Sequence, residues 1–215
     1  IDVANILLDW NMDHTTIVSA LLHDVVEDTD VTLEDIENEF GDDVAFLVDG
    51  VTKIDHIVFR SHEHKQAENF TKLFLSLAKD LRVIIIKFAD RLNNMETIEY
   101  LSAKKRKEIA LETKEIFVPL AHRLGMANLK WRFEDLTLKC LNLKSYNSIK
   151  KKIEGSSQLN KNILETTIAP VKKELDSYKI HSDISGRYKS ISSINRKIEI
   201  RGKKFEEIYD LYAIR

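Results

Sequence analysis

At 215 residues, with 43% hydrophobic and 32% charged side chains, the chain has enough apolar material for one or two folded domains, which excludes a peptide scaffold, a collagen-like repeat or wholesale disorder. Six Gly and two Pro predict long helices, and the single Cys140 permits neither an internal disulfide nor a Cys-rich metal site, as suits a reducing cytoplasm. The net charge of −2 combines an acidic first half, 8 Lys+Arg against 21 Asp+Glu over residues 1–100, with a basic second half, 25 against 14 over 101–215, a division that suits divalent cations on one side and phosphates or nucleic acid on the other.

In chain order, Val3, Ile6, Leu7 and Trp10 recur at helical spacing, and Ile17, Leu21 and Val25 mark a second helix continuing toward Thr29. Thr32 with Asp35 reads as a capping box opening a short helix that Gly41 ends after Phe40. A helix is expected over Val44–Ile54, a loop over Asp55–His64 and another helix over Glu68–Leu77. Val83–Ile86 alone would suit a strand, but its continuation through Phe88-Ala89-Asp90-Arg91-Leu92 favours a buried helix. Helical patterning covers Lys104–Leu141, bent or ended at Pro119 and Gly125, and runs on to about Glu154.

Gly155-Ser156-Ser157 is the clearest linker signal. Asn160–Tyr178 is patterned as a helix that Pro170 should break, unless that proline falls in the first turn. His181–Gly186 then reads as strand and turn, Ser190–Ile200 as a helix and Tyr209–Ile214 as a strand beginning. A second domain is therefore expected to start near residue 156 and to be cut off, its last strand unable to make a sheet alone. No apolar run approaches the roughly 20 residues of a membrane span. The opening Ile1-Asp2 lacks both a Met and the basic segment of a secretory signal, as expected of a trimmed piece.

The sharpest chemical feature is Leu22-His23-Asp24-Val25-Val26-Glu27-Asp28-Thr29. On a continuous helix His23 and Glu27 are four apart, as are Asp24 and Asp28, so four polar groups share one side. Carboxylates beside apolar residues are costly to bury, and a cation offsets that cost; a His next to an Asp suits Mn²⁺, Fe²⁺ or Zn²⁺ better than Ca²⁺. Alone, such a dipeptide is more often a solvated helix end. Asp90, directly after the apolar Ile84-Ile85-Ile86-Lys87-Phe88-Ala89, shifts that balance by offering a third ligand from a distant helix, although Asp90 and Arg91 could also be a local ion pair.

The pairing of His-Asp with a later Asp resembles the HD metal-dependent phosphohydrolase superfamily. Longer strings narrow the resemblance to the long RelA/SpoT homologues, bifunctional enzymes that make and degrade guanosine tetra- and pentaphosphate, (p)ppGpp. They are Ala20–Thr29, Val48-Asp49-Gly50-Val51-Thr52-Lys53, Gln66-Ala67-Glu68-Asn69-Phe70, Lys87–Met95 and Pro119-Leu120-Ala121-His122-Arg123-Leu124-Gly125, in that order. Gly186–Ile194 and Phe205–Arg215 resemble the opening of the family's synthetase domain. The implied fold is mainly α, an HD-superfamily helical bundle over 1–125, connecting helices over 126–155 and a truncated α/β nucleotidyltransferase-like domain over 156–215.

The resemblance implies Mn²⁺ held by His23, Asp24 and Asp90 with one further His upstream of Ile1, a position that His14 does not match. It implies Glu27 and Asp28 as the pair that orients water and moves protons, and Arg91, Asn94 and Thr97 near the nucleotide. The reaction would be hydrolysis of the 3′-pyrophosphate to give GDP or GTP and pyrophosphate. Lys161, Arg187, Lys189, Ser193 and Lys197 match positions that hold ATP, and Asp210 matches the synthetase's Mg²⁺ carboxylate. Departures fall at Asn93 and Glu96, where the family usually has His and Arg, and at Tyr188 and Ser190, where Pro and His are common. The implied setting is cytoplasmic and bacterial, with no membrane and no direct DNA contact, and with the ribosome reached only through C-terminal regions beyond Arg215. A degenerate nucleotide-binding regulatory module, or an HD phosphohydrolase of another nucleotide, are the competing expectations.

Overall fold

The structure, a computed structural model, describes residues 1–59, 80–155, 157–184 and 186–214. The chain divides into two compact units, Ile1–Thr97 and Ile98–Arg215.

In the first unit α1 (Asp2–Asp9) buries Val3, Ala4 and Leu7. Asp13 opens α2 (His14–Leu22), its carboxylate accepting the Thr16 N–H at 3.0 Å and the Thr16 hydroxyl at 2.8 Å. The second helix does not continue through residue 25 as its spacing predicts. It ends at Leu22, His23 and Asp24 form a turn, and a short α3 (Val25–Asp28) follows. Three local bonds accompany the break: His23 Nδ1 donates to the Ala20 carbonyl at 2.8 Å, the acceptor a continuing helix would give to Asp24 N–H, and the Asp24 carbonyl takes both Glu27 and Asp28 N–H.

The Thr32–Asp35 capping box opens α4 (Leu33–Phe40), and Gly41 ends it at φ 88°. Helix α5 (Asp42–Phe59) is longer than expected, so positions 55–59 are helical and not loop. Ile54, Ile57 and Val58 keep the helical spacing there, and no Gly or Pro interrupts it. Residues 60–64 of the expected loop, the expected helix over Glu68–Leu77 and the string Gln66–Phe70 lie outside the described residues.

Val83–Leu92 is helical, within α6 (Arg82–Glu96), and it is buried nearly all round: Val83, Ile84, Ile86, Phe88, Ala89, Leu92 and Met95 are buried, and so are Lys87 and Arg91. It packs against α1 and α5. Gly50 on α5 permits the close approach, since a Cβ there would stand 2.8 Å from Val83 Cγ2.

In the second unit Ser102 caps α7 (Ala103–Glu112), a π-helical turn covers Thr113–Phe117, and α8 (Val118–Arg123) carries Pro119 in its first turn. Gly125, at φ 73°, separates it from α9 (Ala127–Leu141), and α10 (Leu143–Gly155) follows. Phe117 and Phe133 meet edge to face with ring centroids 6.3 Å apart. The expected linker is almost wholly helix, because α10 includes Gly155 and α11 (Ser157–Ser177) begins two residues later.

Helix α11 also runs through Pro170 instead of breaking there. The proline ring is exposed and so are its neighbours Ala169 and Val171, so the N–H that Pro170 lacks is missing from a wetted side of the helix. Residues 181–184 are not strand; β1 begins at Gly186 and spans Gly186–Tyr188. After α12 (Ile191–Arg201), β2 (Tyr212–Ile214) pairs antiparallel with β1, Arg187 opposite Ala213 and Tyr188 opposite Tyr212. The terminal strand therefore finds a partner, and Ile149, Ile194 and Ile208 form a small core beneath that end of the unit.

Candidate functional site

His23, Asp24 and Asp90 come together in the first unit. The break after Leu22 puts His23 at the end of α2 and Asp24 at the start of α3, where its carboxylate makes no cap hydrogen bond. Asp90 projects from the third turn of the mostly buried α6, its side chain 14% exposed. His23 Nε2 lies 3.1 Å from Asp24 Oδ2 and 3.8 Å from Asp90 Oδ1. With Nδ1–H held by the Ala20 carbonyl, Nε2 is the nitrogen turned toward both carboxylates. Nε2 is buried, yet it is aligned in a hydrogen bond with neither oxygen.

The electrostatics agree with that arrangement. Burial pushes the His23 imidazole pKa down, but Asp24 and Asp90 outweigh it and raise it to about 10. Burial would likewise raise the Asp90 carboxyl, yet His23 and Lys87 hold it well below the usual carboxylate range. A pocket of two carboxylates around one nitrogen calls for positive charge at Nε2, and a divalent cation supplies it with the imidazole neutral. A backbone carbonyl fixing Nδ1–H is the support a metal-binding imidazole needs at its other nitrogen. Among the described residues no set of three or more His, Cys, Asp or Glu is already drawn in to ligand distances; the donor set fits a cation through its chemistry and its buried Nε2.

The other expected residues are spread around this point. Glu27 and Asp28 are exposed on α3, the turn after the His-Asp pair, so they follow it along the chain but do not lie on one helix with it. Arg91 is 5% exposed and belongs to the buried side of α6. Asn94 and Thr97 are exposed at the end of that helix, where the Asn94 amide donates to Asp90 Oδ1 at 2.9 Å and the Thr97 hydroxyl to the Asn93 carbonyl at 2.9 Å. Sequence reasoning missed Lys87, whose Nζ donates to Asp90 Oδ2 at 2.8 Å. Its signal was the spacing 87, 90, 94, which places all three on one face of a helix.

A second cluster lies within the other unit. Lys189 Nζ donates to Asp210 Oδ2 at 2.7 Å, and Lys197 Nζ donates to Asp210 Oδ1 at 2.6 Å and Oδ2 at 2.7 Å. The two ammonium groups hold the Asp210 carboxyl well below its ordinary range. Ser193 stands in the first turn of α12, bonded through its hydroxyl and N–H to the capping Ser190. Arg187 is in β1 and Lys161 in α11. Asp135 of α9 was not expected: its carboxylate accepts the Ser192 N–H at 2.7 Å and the Ile191 N–H at 3.3 Å, tying the start of α12 to α9.

Known proteins are similar to this chain in sequence. The sequence profile of the HD domain matches residues 1–127. A "Probable GTP pyrophosphokinase" of Mycobacterium leprae is 45% identical over 99% of this chain and 27% of its own length. A "Probable guanosine-3′,5′-bis(diphosphate) 3′-pyrophosphohydrolase" of Synechocystis is 45% identical over 99% of the chain and 28% of its own length. The "Bifunctional (p)ppGpp synthase/hydrolase SpoT" of Escherichia coli K12 is 41% identical over 99% of the chain and 30% of its own length. The chain thus spans between a quarter and a third of the curated relatives it matches. The profile takes in the His23-Asp24 turn and Asp90 alike, and in it the chain finds its place: it belongs to the HD domain family, whose hydrolases depend on a metal.

Proposed function

We propose that this chain carries the hydrolase centre of a bifunctional alarmone enzyme, which removes the 3′-pyrophosphate of (p)ppGpp to leave GDP or GTP. The observation that carries the reading is the buried His23 Nε2 facing Asp24 and Asp90 from separate helices. The names of the curated relatives support the substrate.

His23, Asp24 and Asp90 would hold Mn²⁺, with a further ligand from outside this triad. The ion, when bound, lowers the pKa of a water and offsets phosphate charge. The exposed carboxylates of Glu27 and Asp28 follow the ligand pair, and either can accept a proton from the attacking water. The water oxygen forms the new bond to the phosphorus next to the ribose 3′-oxygen, the bond between them breaks, and the 3′-oxygen leaves protonated as pyrophosphate is released. Arg91, Asn94 and Thr97, on and beside α6, border the nucleotide in this reading.

Residues 156–215 are the beginning of an α/β nucleotidyltransferase-like synthetase. There Lys161, Arg187, Lys189, Ser193 and Lys197 receive ATP phosphates and base, and Asp210 receives Mg²⁺. The Lys189–Asp210–Lys197 cluster supports this, since it already pairs a hard oxygen donor with phosphate-binding cations. The setting is the cytoplasm, and guanine nucleotides are the exchanged molecules.

The test is release of pyrophosphate from ppGpp in the presence of Mn²⁺. It is expected with a version extended upstream to carry the further His and abolished both by chelator and by Asp90→Ala, with far-UV circular dichroism unchanged. Release that persists through both treatments would overturn the metal assignment. Nucleotide binding without turnover would favour a regulatory module, and turnover of a different nucleotide would favour another HD phosphohydrolase.

A further inference from the structure

We infer that Lys87 is a positioning residue for the metal centre, acting through Asp90; the inference rests on the hydrolase reading above. A lysine only 4% exposed, between Ile86 and Phe88 on a mostly buried helix, is costly unless something answers its charge. Its Nζ reaches Asp90 Oδ2 at 2.8 Å, three residues along the same helix. Asn94, four residues further, holds Oδ1 at 2.9 Å, and Oδ1 is the oxygen 3.8 Å from His23 Nε2.

Both carboxylate oxygens are therefore gripped by groups of their own helix, and the grip on Oδ2 leaves Oδ1 as the oxygen presented to His23. A free carboxylate would rotate about its Cβ–Cγ bond and could offer either oxygen, or both. With Oδ2 engaged by Lys87, Asp90 is preset to bind through one oxygen. Hydrogen-bonded supports of this kind govern ligand orientation, and losing one typically weakens metal binding about 10- to 100-fold.

A simple electrostatic role predicts the opposite sign. A cation this close to a metal repels it, so removing the charge alone would tighten binding. The experiment is a Mn²⁺ titration followed by electron paramagnetic resonance of the free ion, on the unsubstituted chain, Lys87→Met and Lys87→Gln, with melting temperature and far-UV circular dichroism measured on each. Lys87→Met is expected to bind Mn²⁺ about 10-fold or more weakly, and Lys87→Gln, which keeps a donor without the charge, to recover part of that loss. Equal or tighter binding by both variants, or loss of the helical spectrum in both, would overturn the positioning role in favour of a repulsive charge or a purely structural ion pair. If the unsubstituted chain, extended upstream to carry the further His, binds no Mn²⁺, the hydrolase reading fails and takes this inference with it; binding that both variants leave unchanged sinks the inference alone.

Discussion

Arg82 sits between two carboxylates, Asp80 Oδ2 at 2.6 Å from Nη2 and Asp13 Oδ1 at 3.6 Å from Nη1. Arg82 lowers the Asp80 carboxyl; slight burial would raise that of Asp13, but the Thr16 bonds and Arg82 outweigh it. Both pKa values lie below the ordinary 3.8, so the stability these groups contribute is present above that pH and is lost as the pH falls through the depressed values. Melting temperature should therefore drop on acidification from about pH 5 to about pH 2.5. Asp13→Asn, which keeps the helix cap but not the charge, should show a shallower drop. The difference is small, below about 1 kcal/mol, because Asp13 is half exposed and water screens the pair; identical acid profiles for both chains would count against it. At the scale of single residues, the meeting of His23, Asp24 and Asp90 was legible in the sequence. His23, Asp24 and Asp90 were selected by their type and their apolar surroundings, and they meet. Lys87 was not selected, because a lysine in an apolar run reads as the end of that run until its partner three residues on is seen to be buried with it.

At the scale of elements, α5 and α6 approach at Gly50, where the sequence offered only a helical glycine. A methyl at that position would stand 2.8 Å and 3.2 Å from the two Val83 methyls, and Val83 is 2% exposed and stiff at χ1. Gly50→Ala should lose about 1–3 kcal/mol through overpacking despite its better helix propensity. Adding Val83→Ala should return part of that loss, a coupling readable by denaturant unfolding of the two single variants and the double. Independent, additive effects would show that the helices can move apart at no cost. Element types were well predicted wherever the apolar period was long, as in α6, and the boundaries failed for local reasons. The imidazole of His23 captured a backbone carbonyl and split a helix whose spacing ran on. Pro170 was tolerated because its surroundings are exposed, and exposure is a tertiary fact that a proline in a sequence does not carry.

For the whole molecule, the acidic and basic halves of the sequence correspond closely to the two compact units, Ile1–Thr97 and Ile98–Arg215. His23, Asp24 and Asp90, proposed for Mn²⁺, lie in the first unit and the residues proposed for ATP in the second. Calorimetry should therefore show Mn²⁺ stabilising one unit selectively, by about 2.7 kcal/mol at a hundredfold excess over its dissociation constant. Asp90→Ala should erase that shift without changing the response of the second unit to Mg²⁺ and ATP. A uniform shift of all transitions would refute separate sites.

The turn at Thr113–Phe117 holds one more residue than an α-helical turn of the same height. A shortened version lacking one residue would still be helical on both sides, but everything after it would be wound back by about 100°. The ring of Phe117 would then be turned relative to the helix that precedes it. At that place it is the number of residues, more than their identity, that aims the following helix.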